Sequence, residues 1–177
     1  DNESARRQTA RADAAILVST FERPHHLRRC LLALAAQQEA AGRFEVVVAD
    51  DGSADDTVAM VARMADGLPY PLRFTTHRHE AFQLARCRNE GVAASTAPYL
   101  VFLDGDLLAP PDFVAKHLKY RRTGIAMAGD SAYMEEVDSS KIDDEAIRAA
   151  AYIPLEPINE KRRLDHKALR GRIYQWL

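Results

Sequence analysis

Asp104 and Asp106 stand one residue apart, with Gly105 between them, at the end of the apolar run over residues 99–103. Carboxylates held that close repel each other. A divalent cation relieves the repulsion, and hard oxygen ligands suit Mg²⁺ or Mn²⁺. Gly105 permits a tight bend and the close approach of a ligand. Asp-Gly-Asp is also common turn chemistry, so the triplet reads either as a metal site or as a turn. "ADDGSADDT" offers the same choice. Asp50 and Asp51 either terminate a strand or present acceptors to a nucleobase N–H or a ribose hydroxyl. Asp55 or Asp56 is placed to cap a following helix.

A third cluster, "HRHEAFQLARCRNEG", holds Arg86, Arg88, Asn89, His77 and His79. An arginine near a diphosphate neutralises charge in a bidentate manner. Arg86 and Arg88 lie two apart on a helix and face different directions, so at most one points at a ligand. The other reading is a surface arginine or a helix salt bridge. The histidines form H-x-H without cysteine or carboxylate partners at zinc-like spacing, and are expected to be solvated loop residues.

These clusters need elements to position them. Continuous apolar runs at residues 14–21, 44–50 and 99–104, with a weaker one at 71–76, have strand length. A further strand is expected at residues 125–130. Between them the period changes. Leu27, Cys30, Leu31, Leu34 and Ala35 recur at helical spacing, as do Val58, Val61, Ala62 and Ala65. Residues 81–95 and 111–122 read as two more helices, the last with Pro111 at its start. Alternation of apolar strands with helices implies an α/β fold, a mostly parallel sheet with helices on both faces. In such a sheet, ligands bind beyond the carboxyl ends of the strands, where "STFER", "ADDGS" and "LDGD" all fall.

Composition narrows the function. The 177 residues, 47% hydrophobic and 28% charged, suffice for one globular domain. A net charge of −2 gives no reason to expect a nucleic-acid partner. Cys30 and Cys87 are expected as buried free thiols, consistent with a cytoplasmic setting. No apolar run approaches the roughly 20 residues that span a bilayer. Residues 1–13 are expected to form a disordered leader, 14–130 the α/β domain, and 131–177 a charged, mostly helical tail. No G-x-G-x-x-G follows the first strand and no P-loop is present, which argues against dinucleotide and P-loop nucleotide binding.

In order and spacing, "ILVSTFERPHHLRRCLLAL", "FEVVVADDGSADDT", "FQLARCRNEGVAAS" and "YLVFLDGDLLAPPDFV" resemble the nucleotide-binding half of a family 2 glycosyltransferase with the GT-A fold. The resemblance covers residues 14–129, and implies that 14–130 form a nucleotide-sugar-binding domain and 131–177 an incomplete acceptor-side segment. It implies inverting transfer of a sugar from a UDP-sugar, or another nucleotide-diphosphate sugar, to a hydroxyl of a glycan or lipid-linked saccharide, as in polysaccharide biosynthesis. By the same resemblance, the base and ribose lie against Ser19, Phe21, Glu22 and Arg23. Asp51 takes the base N–H, with Asp50 beside it. Arg88 and Asn89 match an A-R-N-x-G helix, with Cys87 in place of the usual alanine. Asp104 and Asp106 match D-x-D, with Asp106 on the metal and Asp104 near ribose and metal. Association with the inner face of a membrane, and oligomerisation through the apolar end "IYQWL", are further expectations.

The family's acceptor-side carboxylate, which acts as general base, usually lies in an E-D pair after D-x-D. No such pair follows Asp106. Asp138, Asp143, Asp144, Glu145 and Asp165 are the weaker candidates, and "DDE" at 143–145 also reads as a helix N-terminus. Part of the full enzyme is therefore expected to be missing. Two other functions compete. A nucleotidyltransferase would carry a Gly-rich loop after the first strand, which "STFERP" lacks. A non-catalytic sugar-nucleotide-binding module would account for the absent base.

Overall fold

The computed structural model describes residues 11–129, 131 and 139–152. In chain order the elements are β1 (Ala14–Thr20), α1 (Pro24–Ala35), β2 (Phe44–Asp50), α2 (Thr57–Ala65), β3 (Leu72–Thr76), α3 (Leu84–Ala94), β4 (Leu100–Asp104), α4 (Phe113–Tyr120) and α5 (Asp144–Arg148). The four strands form one parallel sheet in the order β3-β2-β1-β4. β1 and β2 are buried along their whole length because helices cover both faces, which is why their sequences are continuously apolar.

Alternation along the strands separates two apolar layers. Ile16, Val18, Val46 and Val48 face a core completed by Leu27, Leu31 and Leu34 of α1, Met60 and Val61 of α2, and Val114 of α4. Ala15, Leu17 and Val47 face the other way, toward Ala94 at the end of α3. Burying one such Leu, Ile or Val side chain is worth roughly 1.5–3 kcal/mol. α3 lies close on the sheet because position 91 is glycine: a Cβ there would sit 3.2 Å from the Ala49 Cβ.

α5 docks on α1. Ile147 is fully buried in a small cluster with Leu32, Ala33 and Tyr152. Arg28 pairs with Asp144, while buried Arg29 donates to the Ser139 hydroxyl and carbonyl, both at 2.9 Å. The expected fifth strand does not form over residues 125–129. That segment holds one β-branched residue, Ile125, which is exposed, so nothing draws it onto the sheet. Asp130 and residues 153–177, including "IYQWL", lie outside the described residues, as do residues 1–10. Among the described residues, no helix is long and apolar enough to cross a membrane.

Cys30 and Cys87 are buried free thiols. Burial, reinforced by Asp106 and Asp104, pushes Cys30 up to about 12. Burial, reinforced by Asp51, pushes Cys87 up to about 11. The thiolate is the reactive species. Neither cysteine should therefore react with a disulfide reagent at neutral pH until the chain is unfolded, when both should. Rapid labelling of the native chain would show that one of the two sites opens readily.

Candidate active site at the β1–β4 switch point

The chain builds outward from β1 through β2 to β3, then crosses back to place β4 on the other side of β1. The winding direction reverses between β1 and β4, and an open α/β sheet binds ligands at that reversal. Register aligns Ser19 with Asp104, and Thr20 with Asp50. Gly105 N–H donates to the Ser19 carbonyl at 2.9 Å. A Cβ at Gly105 would lie 2.9 Å from that same oxygen, so glycine is what lets the end of β4 close against β1.

A cleft of about 320 Å³ opens here. Ser19, Thr20, Phe21 and Arg23 form one side, and Asp104, Gly105 and Asp106 another. Asp51, Phe82, Leu84 and Cys87 complete it. A larger hollow of about 500 Å³, between Gln38, Arg43, Lys116 and Tyr120, includes the residue just before β2. It lies at the amino end of the sheet, away from these carboxylates.

The carboxylates of the cleft differ in what already occupies them. Asp104 accepts from Arg88 at 3.1 Å, and Asp106 from Arg23 at 3.1 Å. Both pairs are largely exposed and exchange partners at little energetic cost. Asp51 has a buried side chain, and accepts from His77 Nε2 at 2.8 Å and from Gln83 N–H at 3.0 Å. Asp50 is taken up by its own loop. It accepts from the Gly52 and Ser53 amides and from the Thr76 hydroxyl at 2.7 Å. Its place is to hold the loop that presents Asp51.

Other expected site residues vary. Phe21 lies at the cleft, its ring stacked on His79 with centroids 4.2 Å apart. Glu22 holds a left-handed backbone, φ 46°, and its N–H donates to Ser53 Oγ at 2.8 Å, tying the β1 loop to the β2 loop. Asn89 is exposed and outside the cleft lining. Arg86 turns to Glu90 at 2.9 Å while Arg88 reaches Asp104, so one of the two faces the site.

Sequence reasoning missed His77, Phe82, Thr20 and Leu84. The His77 side chain is 4% exposed, the reverse of a solvated loop residue, because both ring nitrogens meet carboxylates. Phe82 is 81% exposed beside the cleft. An aromatic next to H-x-H, just before the basic helix, was the available signal. Asp55 accepts from the Thr57 amide, as a residue near a helix start does.

Among the acceptor-side candidates, Asp143 caps α5 by accepting from Ala146 N–H at 2.8 Å. Hydrogen bonding from Arg28 holds the Asp144 carboxyl below the usual carboxylate range, which makes it a poor proton acceptor. Glu145 lies in the first turn of α5. Asp138 and Asp165 lie outside the described residues.

A divalent cation fits the donor set. Among the described residues no cluster of three or more His, Cys, Asp or Glu side chains could hold a metal. Asp104 and Asp106 would supply two hard oxygens, leaving the other positions for phosphate oxygens and water. That division is usual for Mg²⁺-type sites on nucleotides. The buried Thr20 hydroxyl beside them has no hydrogen-bond partner among the described residues.

A family model described as glycosyl transferase family 2 matches residues 15–168. The uncharacterized glycosyltransferase YfnE of Bacillus subtilis is 38% identical over 107 residues, covering 60% of this chain and 26% of that protein. Validoxylamine A glucosyltransferase of Streptomyces hygroscopicus subsp. jinggangensis is 37% identical over 100 residues, 56% of this chain and 23% of its own length. The chain thus spans about a quarter of the length of these curated relatives. Among solved structures, the mannosyltransferase PcManGT from Pyrobaculum calidifontis, in complex with GDP-Man and Mn²⁺, superposes with a TM-score of 0.57 at 26% identity. That match covers 63% of this chain and 33% of the other. S. aureus TarS 1–349 gives 0.56 at 18% identity over 70% and 40%, a likeness of fold.

Proposed function

The chain belongs to glycosyl transferase family 2, and from that premise we propose that its cleft binds a nucleotide-diphosphate sugar, UDP-sugars first, for transfer to a saccharide hydroxyl. The observation that carries this reading is the meeting of Asp51 with the Asp104/Asp106 pair where the sheet of the described residues reverses its winding. A donor that is a flat base at one end and a diphosphate at the other matches that spacing of functions. The complex of the Pyrobaculum mannosyltransferase with GDP-Man and Mn²⁺ supports the same class of donor.

Asp51 sits at the base end as an acceptor for a ring N–H, with the Phe21–His79 stack and Phe82 as aromatic walls. Arg23 and Arg88, which cover Asp106 and Asp104, turn to the diphosphate when it enters. Asp104 and Asp106 would then hold Mn²⁺ or Mg²⁺, which supplies Lewis-acid stabilisation of the departing nucleoside diphosphate. The arginines add charge that is always present, since guanidinium does not lose its proton in proteins. The base that accepts the acceptor's proton comes from outside the described residues, and transfer proceeds with inversion. The acceptor is a glycan or lipid-linked saccharide.

Calorimetry of UDP and GDP with and without Mn²⁺ tests the donor. UDP should bind, more tightly with Mn²⁺. Asp51→Asn replaces a charged acceptor with an amide, and losing a charge-assisted hydrogen bond costs on the order of 1.5–3 kcal/mol. The variant should bind UDP roughly 10–150-fold more weakly. Unchanged affinity would remove Asp51 from the base site.

A further inference from the structure

His77 bridges two acidic groups from different elements. Its Nε2 lies 2.8 Å from Asp51 Oδ1, just past the end of β2, and its Nδ1 lies 2.9 Å from Glu90 Oε2 on α3. The side chain is 4% exposed, so water does not take over either contact. An ionised carboxylate only accepts hydrogen bonds, and a neutral imidazole has a single N–H. The neutral ring can therefore satisfy one of these contacts and sets a bare nitrogen against the other carboxylate. Only the imidazolium donates to both.

We propose that His77 is a positioning residue for the donor: as an imidazolium it clamps Asp51 to Glu90, and so holds the nucleobase end of the cleft in its binding shape. The proposal rests on the reading of Asp51 as the nucleobase acceptor.

The surrounding groups agree with a cation here. The His77 N–H holds the Glu90 carboxyl below its ordinary range, and Arg86 adds to that from the exposed side at 2.9 Å. Asp50 lies next to the clamp, bound to Thr76, the residue before His77. His79 is the second histidine on Asp51, its Nδ1 3.8 Å from Asp51 Oδ2. Its Nδ1 donates to the Asp51 main-chain oxygen at 2.7 Å, which a neutral ring does equally well. Cys87, on α3, donates its thiol to the Ala49 carbonyl and stays protonated.

The clamp reaches the cleft wall through the chain. Residues 77–83 are pinned at His77, at His79 and at the Gln83 amide, all on Asp51. Between the pins, Ala81 is strained at φ 95° and Phe82 projects beside the cleft. A neutral His77 leaves one of its two carboxylate contacts without a donor, which loosens the clamp and with it the strained segment that carries Phe82.

The test is calorimetry of the full chain with UDP-glucose and Mn²⁺ across roughly pH 5 to 9, an interval that contains the ordinary imidazole range and extends above it. UDP-glucose is the probe because its diphosphate carries no group that titrates there. Affinity should fall as pH rises, by about tenfold across the interval, the loss of one charge-assisted hydrogen bond. Glutamine is uncharged, with an NH₂ group that donates and a carbonyl that only accepts, so like a neutral imidazole it brings no positive charge to the two carboxylates. His77→Gln should therefore bind with a flat profile, at the level of the unaltered chain's high-pH limb. A flat profile for the unaltered chain, or a slope that survives in His77→Gln, overturns the proposal. Asp51→Asn separates the two claims. If it weakens binding while the His77 result fails, the base reading stands alone. If it leaves binding unchanged, both fall.

Discussion

Gly52→Ala is expected to lower the unfolding free energy by about 2–5 kcal/mol and to remove nucleotide binding with it. Gly52 has φ +81°, a left-handed conformation that costs an L-residue with a Cβ roughly 1–2 kcal/mol. A Cβ at that position would also lie 2.5 Å from both the His77 carbonyl oxygen and the His79 amide nitrogen. Both are backbone atoms, so no rotamer change relieves the contact and the segment itself must shift. Forcing extra volume into a packed site costs about 1–3 kcal/mol more. Against a typical total stability of about 5–15 kcal/mol, the sum is large. The displaced segment is the one pinned on Asp51, so the cleft opens as the fold weakens. Gly42 is the control. It has φ +72°, but a Cβ there would meet nothing within 4 Å, so Gly42→Ala should cost only the conformational part. Urea unfolding of both variants gives the comparison. Equal losses would mean that the close approach of residues 77–79 to Gly52 carries no energy.

The fold was legible where its signals are local. β1 and β2 read as buried strands because every residue is buried and the apolar run is unbroken. Asp104 and Asp106 read as a paired feature because β4 ends directly before Gly105. Residues whose environment is made by distant chain were not legible in that way. His77 looks like a loop histidine until α3 places Glu90 on one side and β2 places Asp51 on the other. Asp144 looks available until Arg28, 116 residues earlier, takes it. Asp50 and Asp51 are adjacent and chemically identical, yet one is held by its own loop and the other faces the cleft. Ser53 and Thr76 hold the Asp50 carboxylate within its loop, whereas His77 and the Gln83 amide hold Asp51 at the edge of the cleft. The residues at 125–129 failed in the opposite sense. They carry a strand-like apolar pattern, but no neighbouring strand or helix covers them among the described residues.

Asp106→Asn is expected to abolish the Mn²⁺-dependent part of UDP binding, and to slow sugar transfer or donor hydrolysis by roughly 10³-fold, while leaving the fold intact. The two effects separate because Asp106 does little for stability. Its described partner is Arg23, and the two side chains are 43% and 61% exposed. Exposed pairs of this kind contribute about 0–1 kcal/mol. Its part in the proposed chemistry is much larger. Among the described residues of the cleft lining, Asp104 and Asp106 are the carboxylates at the proposed diphosphate end, so asparagine removes half of those anionic donors. Lewis-acid stabilisation of a leaving phosphate is worth several kcal/mol, which corresponds to roughly 10³-fold in rate. The freed Arg23 sharpens the distinction. With its carboxylate gone, it can pair with the diphosphate directly, so metal-free UDP binding should persist or strengthen slightly in the variant. Asp112, paired with Lys116 on α4, is an exposed carboxylate away from the cleft. Asp112→Asn should therefore keep the full response to Mn²⁺. Calorimetry with and without Mn²⁺, alongside thermal melts of both variants, reads these outcomes together. An Asp106→Asn chain that melts normally and still binds UDP more tightly with Mn²⁺ would show that Asp-Gly-Asp serves as a turn.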